Sequence, residues 1–160
     1  MKTGLILGKF VPFHKGHEHL IQEATSQVDL LFIAIYNRPD VTNVPAFVRA
    51  NWIQAKFPDT QIVICQNPHQ FGPEHSRLHV DYIYKVFGET AITHLFSGET
   101  DHREAIAKSL GADLVIIPRT EIPVSGTQIR TNPEKYKNYL DLDVLTEYNH
   151  WQNQAKENTL

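Results

Sequence analysis

The 160-residue sequence predicts an α/β fold, an open parallel five-stranded sheet with helices on both faces. Three observations carry this reading. Short apolar runs without alternation, such as Leu5-Ile6-Leu7 and Leu30–Tyr36, read as strands buried on both sides. Between such runs lie segments whose apolar residues recur at helical spacing, as in Leu20, Ile21, Ala24 and Val28. Strands alternating with helices of roughly ten residues or more require parallel pairing through right-handed crossovers.

In chain order, Thr3–Gly8 is the first strand, short, apolar and ended by glycine. A helix begins at His17, and Leu30–Tyr36 is the second strand, closed by the turn cluster Asn37-Arg38-Pro39-Asp40. Pro45 opens the next helix, with Phe47, Val48, Trp52 and Ala55 expected inward, until Pro58-Asp59 stops it. Gln61–Cys65 is the third strand, and Asn67–Ser76 is a loop carrying two prolines, a glycine and two histidines. The following helix places Val80, Ile83, Tyr84 and Phe87 on one side and stops at Gly88. His94–Ser97 is the fourth strand, Arg103–Leu110 a short helix ended by Gly111, and Ala112–Ile117 the fifth strand. Gly126–Asn132 is then a short helix capped by the Ser125 side chain and ended by Pro133. Val144, Leu145, Tyr148 and Trp151 fit a final amphipathic helix over 144–152, with Ala155–Leu160 expected to fray. The whole is expected to form one domain.

Composition narrows the function. The net charge of −3, without a Lys/Arg run, argues against a general nucleic-acid binder. The single cysteine, Cys65, lies in an apolar run and reads as a small buried hydrophobe. No signal-peptide pattern and no run of membrane-spanning length is visible, so a reducing cytoplasmic setting without membrane contact is expected.

An open parallel sheet binds its ligands beyond the carboxyl ends of its strands. His14 and His17, Asn37, Asn67 and Ser97-Gly98-Glu99 all follow such ends, so their loops should converge on one cleft. The richest stretch is Gly8-Lys9-Phe10-Val11-Pro12-Phe13-His14-Lys15-Gly16-His17, at the joint between the first strand and the first helix. A helix start offers unpaired N–H groups and the positive end of the macrodipole, which suits phosphate. Gly8 and Gly16 are expected to let the backbone turn tightly and approach a ligand, and Pro12 to stiffen the span between them. His14 and His17 can donate hydrogen bonds to phosphoryl oxygens in either protonation state. A zinc site built from His14, His17, His19 and Glu18 is the alternative, but H-E-x-x-H is absent and spaced histidines alone are a weak signal. The bland alternative is a structural role for both histidines.

The first stretch resembles the G-x-F-x-P-x-H-x-G-H signature of the nucleotidylyltransferase superfamily. Val124-Ser125-Gly126-Thr127-Gln128-Ile129-Arg130 resembles that superfamily's second signature, I-S-G-T-x-I-R. The likeness is greatest to nicotinamide-mononucleotide adenylyltransferases, especially the domain that bacterial bifunctional proteins couple to a ribosylnicotinamide kinase. It implies a Rossmann-like sheet, ATP and a phosphorylated mononucleotide as partners, Mg²⁺ bound with ATP and no protein metal site, and a homo-oligomer. No G-x-x-x-x-G-K-[ST] motif occurs, so the kinase domain of those relatives is not expected in this sequence.

The resemblance implies that His14, His17 and Arg130 are catalytic. Gly8, Lys9, Phe10, Ser97, Glu99, Ser125 and Thr127 would join them around ATP, with Ser97 and Glu99 at the adenosine and ribose edge. Lys9 stands where many relatives carry arginine, keeping charge without the bidentate fork. Arg49 is implied as a phosphate ligand of the acceptor, against the simpler reading of a solvated helix charge. Trp52 is expected in the core rather than stacked on a ligand, and Asn37 touches the product or merely makes a turn. Relatives place a tryptophan on the pyridine ring from the loop after the third strand. This loop offers Asn67, Phe71 and His75 instead, and the turn after the fifth strand reads Ile117-Pro118-Arg119 where relatives carry an aspartate.

The implied reaction joins nicotinamide mononucleotide to AMP, giving NAD and pyrophosphate. The attacking phosphate is already mostly deprotonated, its second pKa being about 6. In-line positioning and charge neutralisation suffice, without a general base or covalent intermediate. Other acceptors, nicotinic acid mononucleotide or phosphopantetheine, are alternatives, as is a non-catalytic nucleotide sensor.

Overall fold

The fold is described from a computed structural model over residues 1–66, 76–99, 103–120 and 122–158. The elements are β1 (Thr3–Gly8), α1 (Lys15–Thr25), β2 (Leu30–Tyr36), α2 (Ala46–Lys56), β3 (Gln61–Cys65), α3 (Ser76–Phe87) and β4 (His94–Ser97). They continue as α4 (Arg103–Leu110), β5 (Asp113–Ile116), α5 (Gly126–Thr131), a 3₁₀ turn (Lys137–Tyr139) and α6 (Leu142–Asn158).

The five strands form one parallel sheet in the order β3-β2-β1-β4-β5. The α/β expectation and the strand count are therefore correct. β1 lies at the centre, and the chain winds outward from it first in one direction and then in the other. The reversal between β1 and β4 opens a crevice past their carboxyl ends, at Gly8 and Ser97.

Because successive strand residues face opposite sides, β1 supplies two cores. Ile6 faces a cluster with Ile21 and Ala24 of α1, Trp52 and Ile53 of α2, and Val144 and Tyr148 of α6. Leu5 and Leu7 face the other, with Ile83 and Phe87 of α3 and Ile106 of α4. Val124, Ile129 and Leu140 form a third, small cluster that seats α5 against the body. Polar ties lock the helices of the first layer. Trp52 Nε1 donates to Glu147 Oε1 at 2.6 Å, joining α2 to α6. Lys56 bonds Glu18 at 2.7 Å and Asp141 at 2.8 Å, and Lys15 also pairs with Asp141.

Several local expectations need correction. α1 starts at Lys15, because His14 rather than a later residue is its N-cap. In α2, Phe47 is 60% exposed and Ala55 is exposed, while Ala46, Arg49 and Ile53 point inward. Val48 and Trp52 are buried as expected, so the packed face keeps these two and adds Ala46, Arg49 and Ile53 in place of Phe47 and Ala55. Tyr84 likewise points outward, leaving Ile83 and Phe87 to fill that face of α3. α6 begins at Leu142 and holds to Asn158, past the expected fraying point. Ser125, Gly111 and Cys65 behave as expected: the first caps α5, the second follows α4 at φ +67° and the third is buried. No helix among the described residues is long and apolar enough to cross a membrane.

Candidate active site

The loop after β1 reverses at Phe10, which adopts φ +54°, rather than at either glycine. A left-handed phenylalanine costs about 1–2 kcal/mol, which burial of its ring, only 2% exposed, offsets. The glycines serve close approach instead. A Cβ on Gly8 would sit 3.0 Å from the Phe10 ring, and one on Gly16 would sit 2.9 Å from His14 Cε1. The loop therefore folds back on itself and delivers His14 to the N-terminus of α1.

His14 and His17 form a capping box normally built from a hydroxyl and a carboxylate or amide. The His17 backbone N–H donates to His14 Nδ1 at 3.3 Å, and the His14 backbone N–H donates to His17 Nδ1 at 3.2 Å. Both Nδ1 atoms are acceptors, so the network assigns the ring proton to Nε2 in each neutral imidazole. The rings stack with centroids 3.6 Å apart, and Phe10 and Phe13 flank His17 at 4.8 and 6.0 Å.

Electrostatics reinforce neutrality. Burial pushes the His14 pKa down to about 3, and the nearby Arg119 and Arg130 guanidiniums push the same way. Burial also holds His17 well below the ordinary histidine value, with His14, Arg119 and Arg130 adding to the effect. Two neutral rings thus present Nε2–H donors, which can meet an anion without protonation.

A cleft of about 290 Å³ opens beside this pair at the β1/β4 crevice. It is lined by Gly8, Lys9, Phe10 and His17, by Ser97 and Glu99, and by Gly126, Thr127 and Arg130. The two distant motifs thus meet at one cavity. Arg130 is tied there by its Nη1, which donates to the Val11 carbonyl at 2.8 Å, while Nη2 donates to Thr127 Oγ1 at 3.2 Å. Ser125 Oγ accepts from the Gln128 N–H at 3.1 Å, and Gln128 Oε1 accepts from the Ser125 N–H at 2.9 Å. Ser125 therefore shapes the turn that carries Gly126, Thr127 and Arg130 into the lining and is not itself a lining residue. Ser97, 3% exposed, accepts from the Glu99 N–H at 3.2 Å and so positions Glu99 on the wall.

Arg49 and Asn37 are not among the residues that line the cleft. Arg49 is fully buried beneath the cleft floor. It donates to the carbonyls of Lys9 and Tyr36, each at 2.7 Å, and Val44 at 3.2 Å. These bonds, from Nε and Nη1, brace the loop that carries the histidines, while the buried Nη2 has no hydrogen-bond partner among the described residues. Burial lowers its pKa to about 10. Asn37 donates to Gln66 Oε1 at 2.9 Å and joins the ends of β2 and β3 beside the cleft, outside its lining. Trp52 is in the core, as expected. Asn67, Phe71 and His75 lie outside the described residues.

Sequence reasoning missed Arg38, Arg103 and Arg119, which line the same cleft. Each follows the carboxyl end of a strand, or opens the helix after one, so the topological rule that selected Asn37 and Ser97 also covers them. Arg38 holds Asp40 through two bonds of 2.8 and 2.7 Å. Lys9 is pushed down by burial and by Arg130, Arg38 and Arg103, with Asp40 opposing. The missed Tyr36–His79 pair, with Tyr36 Oη 2.5 Å from His79 Nε2, carried no signal, because nothing in the periodicity of α3 marks His79 as lining a cavity. Among the described residues no cluster of three or more His, Cys, Asp or Glu could hold a metal ion. The five cations that line the cleft, Lys9, Arg38, Arg103, Arg119 and Arg130, suit a polyanion.

The family model described as cytidylyltransferase-like matches residues 5–132. The trifunctional NAD biosynthesis/regulator protein NadR of Escherichia coli (strain K12) is 28% identical over 160 residues, covering 88% of this chain and 39% of NadR. The Salmonella typhimurium protein of the same name is 27% identical with the same coverage. The chain thus spans about two-fifths of the curated relatives it matches. A crystal structure of NadR in complex with NAD and AMP-PNP shares the fold with a TM-score of 0.67 at 18% identity, over 92% of this chain and 46% of that one. A bifunctional NMN adenylyltransferase/ADP ribose pyrophosphatase from Francisella tularensis has a TM-score of 0.56 at 19% identity, over 72% and 37%. With the family model matched over most of its length, the chain belongs to the cytidylyltransferase-like family of the nucleotidylyltransferase superfamily.

Proposed function

We propose that the protein transfers the adenylyl group of ATP to nicotinamide mononucleotide, giving NAD and pyrophosphate. The observation that carries this is the convergence of His17, Thr127 and Arg130 on one cation-lined cleft at the β1/β4 crevice. A phosphate oxygen of the mononucleotide attacks the α-phosphorus in line. That P–O bond forms as the bond from the α-phosphorus to the α,β-bridging oxygen breaks, and its electron pair leaves with pyrophosphate. Mg²⁺ arrives on the triphosphate as part of the substrate and neutralises the leaving group.

The chain's own residues position and stabilise. Nε2–H groups of His14 and His17 donate toward the α-phosphoryl oxygens, where charge develops. Thr127, Arg130 and the first N–H groups of α5 hold the outer phosphates, with Ser125 fixing the turn. Lys9, beside Gly8, adds a cation at the cleft floor. No group here needs to remove a proton, since the nucleophile is already an anion near neutral pH. The low pKa of both histidines suits donors of this kind and does not suit a general base waiting to be charged. NadR, whose solved structure holds NAD and AMP-PNP, supports nucleotides as ligands and a nicotinamide mononucleotide as acceptor.

The test is pyrophosphate release with ATP and Mg²⁺ against a panel of nicotinamide mononucleotide, nicotinic acid mononucleotide and phosphopantetheine. The proposal expects the first to be preferred in kcat/KM. Preference for another acceptor would refute that choice, and release with none would refute transferase activity in favour of a sensor.

A further inference from the structure

Arg119 stands apart from both signature motifs, yet it occupies the joint of the site. Adjoining the main cleft lies a side cavity of about 40 Å³, walled by apolar groups including Ile117, Pro118, Ile122 and Val124 and by His14 and His19. The two cavities share four lining residues: His17, Leu20, Gly98 and Arg119. Leu20 is apolar and Gly98 has no side chain, so only His17 and Arg119 can offer side-chain hydrogen bonds at the junction.

Arg119 is held over that junction by fit. A Cβ on Gly98 would meet Arg119 Nε at 2.7 Å and Cγ at 3.2 Å, so the arginine lies directly on the glycine. Its Nη2 reaches Glu99 Oε1 at 3.3 Å, with both side chains about half exposed. A long, exposed ion pair of this kind is weak and readily exchanged for a better anion. A phosphate beside His17 is such an anion and can take both arms of the guanidinium.

We propose that Arg119 is a nucleotide-contacting residue that exchanges Glu99 for the phosphoryl group at the junction of the two cavities, which it lines together with His17. This rests on the adenylyl-transfer reading, in which the α-phosphoryl group sits beside His17. Arg119 transfers no proton; it supplies a fixed positive charge as the bond to the acceptor oxygen forms and the bond to pyrophosphate breaks. Arg119 and Arg130 line the same cleft, so both can act on one polyanion.

The experiment compares R119Q and R119K with the wild type by pyrophosphate release, unfolding midpoint and calorimetric titration with Mg²⁺–AMP-PNP. R119Q is expected to lower kcat/KM about 10²-fold, mostly in kcat, with an unchanged unfolding midpoint, and R119K to recover part of the loss. AMP-PNP binding by R119Q is expected to weaken about tenfold. Kinetics within twofold of wild type in R119Q would overturn the proposal, as would equal losses in R119Q and R119K together with a lowered midpoint. Wild type inactive with every acceptor would overturn the transfer reading instead. Titration then decides the arginine alone: weaker AMP-PNP binding supports its contact, and unchanged binding overturns it.

Discussion

Replacing His14 by asparagine should flatten the pH dependence of stability between neutral and mildly acid conditions. Asparagine keeps an N-cap acceptor for the α1 backbone but cannot titrate. In the native protein the His14 pKa is about 3, against an ordinary value of 6.5. Between these values the unfolded chain binds a proton at this position and the folded chain does not. Stability from His14 is therefore fully present above about pH 6.5 and is lost as pH falls toward 3. The slope approaches about 1.4 kcal/mol per pH unit, so the contribution between pH 7 and pH 5 is about 2 kcal/mol. His17, also held low by burial, works in the same direction and raises the total. The structural cause is plain: a protonated Nδ1 would point its hydrogen at the His17 N–H it now accepts from. The assay is urea denaturation of wild type and H14N at pH 7, 6 and 5. Groups common to both proteins cancel in the difference, leaving about 2 kcal/mol less pH-dependent loss in H14N. Parallel curves would show that His14 titrates normally in the folded state, and the neutral-donor account of the histidine pair would be wrong.

Further expectations concern the same framework. His17→Ala should lower kcat about 10²–10³-fold, read by pyrophosphate release, while turnover near that of wild type would remove His17 from the reaction. Arg49→Met should destabilise by about 3 kcal/mol or more in chemical denaturation, because three carbonyls lose their donor. A stability change within 0.5 kcal/mol, roughly what a surface site tolerates, would show that the brace is dispensable. Gly16→Ala should cost both stability and kcat, since its Cβ would lie 2.9 Å from His14 Cε1 and push the ring off its cap; the affected stacking is visible in the histidine NMR shifts. Trp52→Phe should cost about 1 kcal/mol through the lost bond to Glu147, with kcat unchanged.

Much of this architecture could be read from residue order. Short apolar segments alternating with helical ones placed all five strands, and the reversal of strand order explains why loops as distant as Gly8–His17 and Val124–Arg130 meet. What escaped was side-chain direction. Phe47 and Tyr84 are apolar enough to suggest burial, but which residues at the edge of each packed face turn inward is decided by how Trp52, Ile53, Ile83 and Phe87 fill their clusters. Arg49 shows the converse: its charge suggests solvent or ligand, whereas the backbone carbonyls that claim it come from three separate segments. Two histidines spaced three apart suggested a phosphate contact. That each would cap the other's backbone, and so fix its tautomer, depends on the left-handed turn at Phe10, which no local pattern announces.

The shared-cleft mechanism requires one nucleotide to be held by both motifs at once. NMR titration of the wild-type protein with Mg²⁺–AMP-PNP, following the Nε2–H signals of His14 and His17 and the guanidinium of Arg130, tests this most directly. All three should move together with a single Kd. Shifts confined to one motif, or two distinct affinities, would mean that the histidines and Arg130 serve separate ligands and would contradict the shared-cleft mechanism.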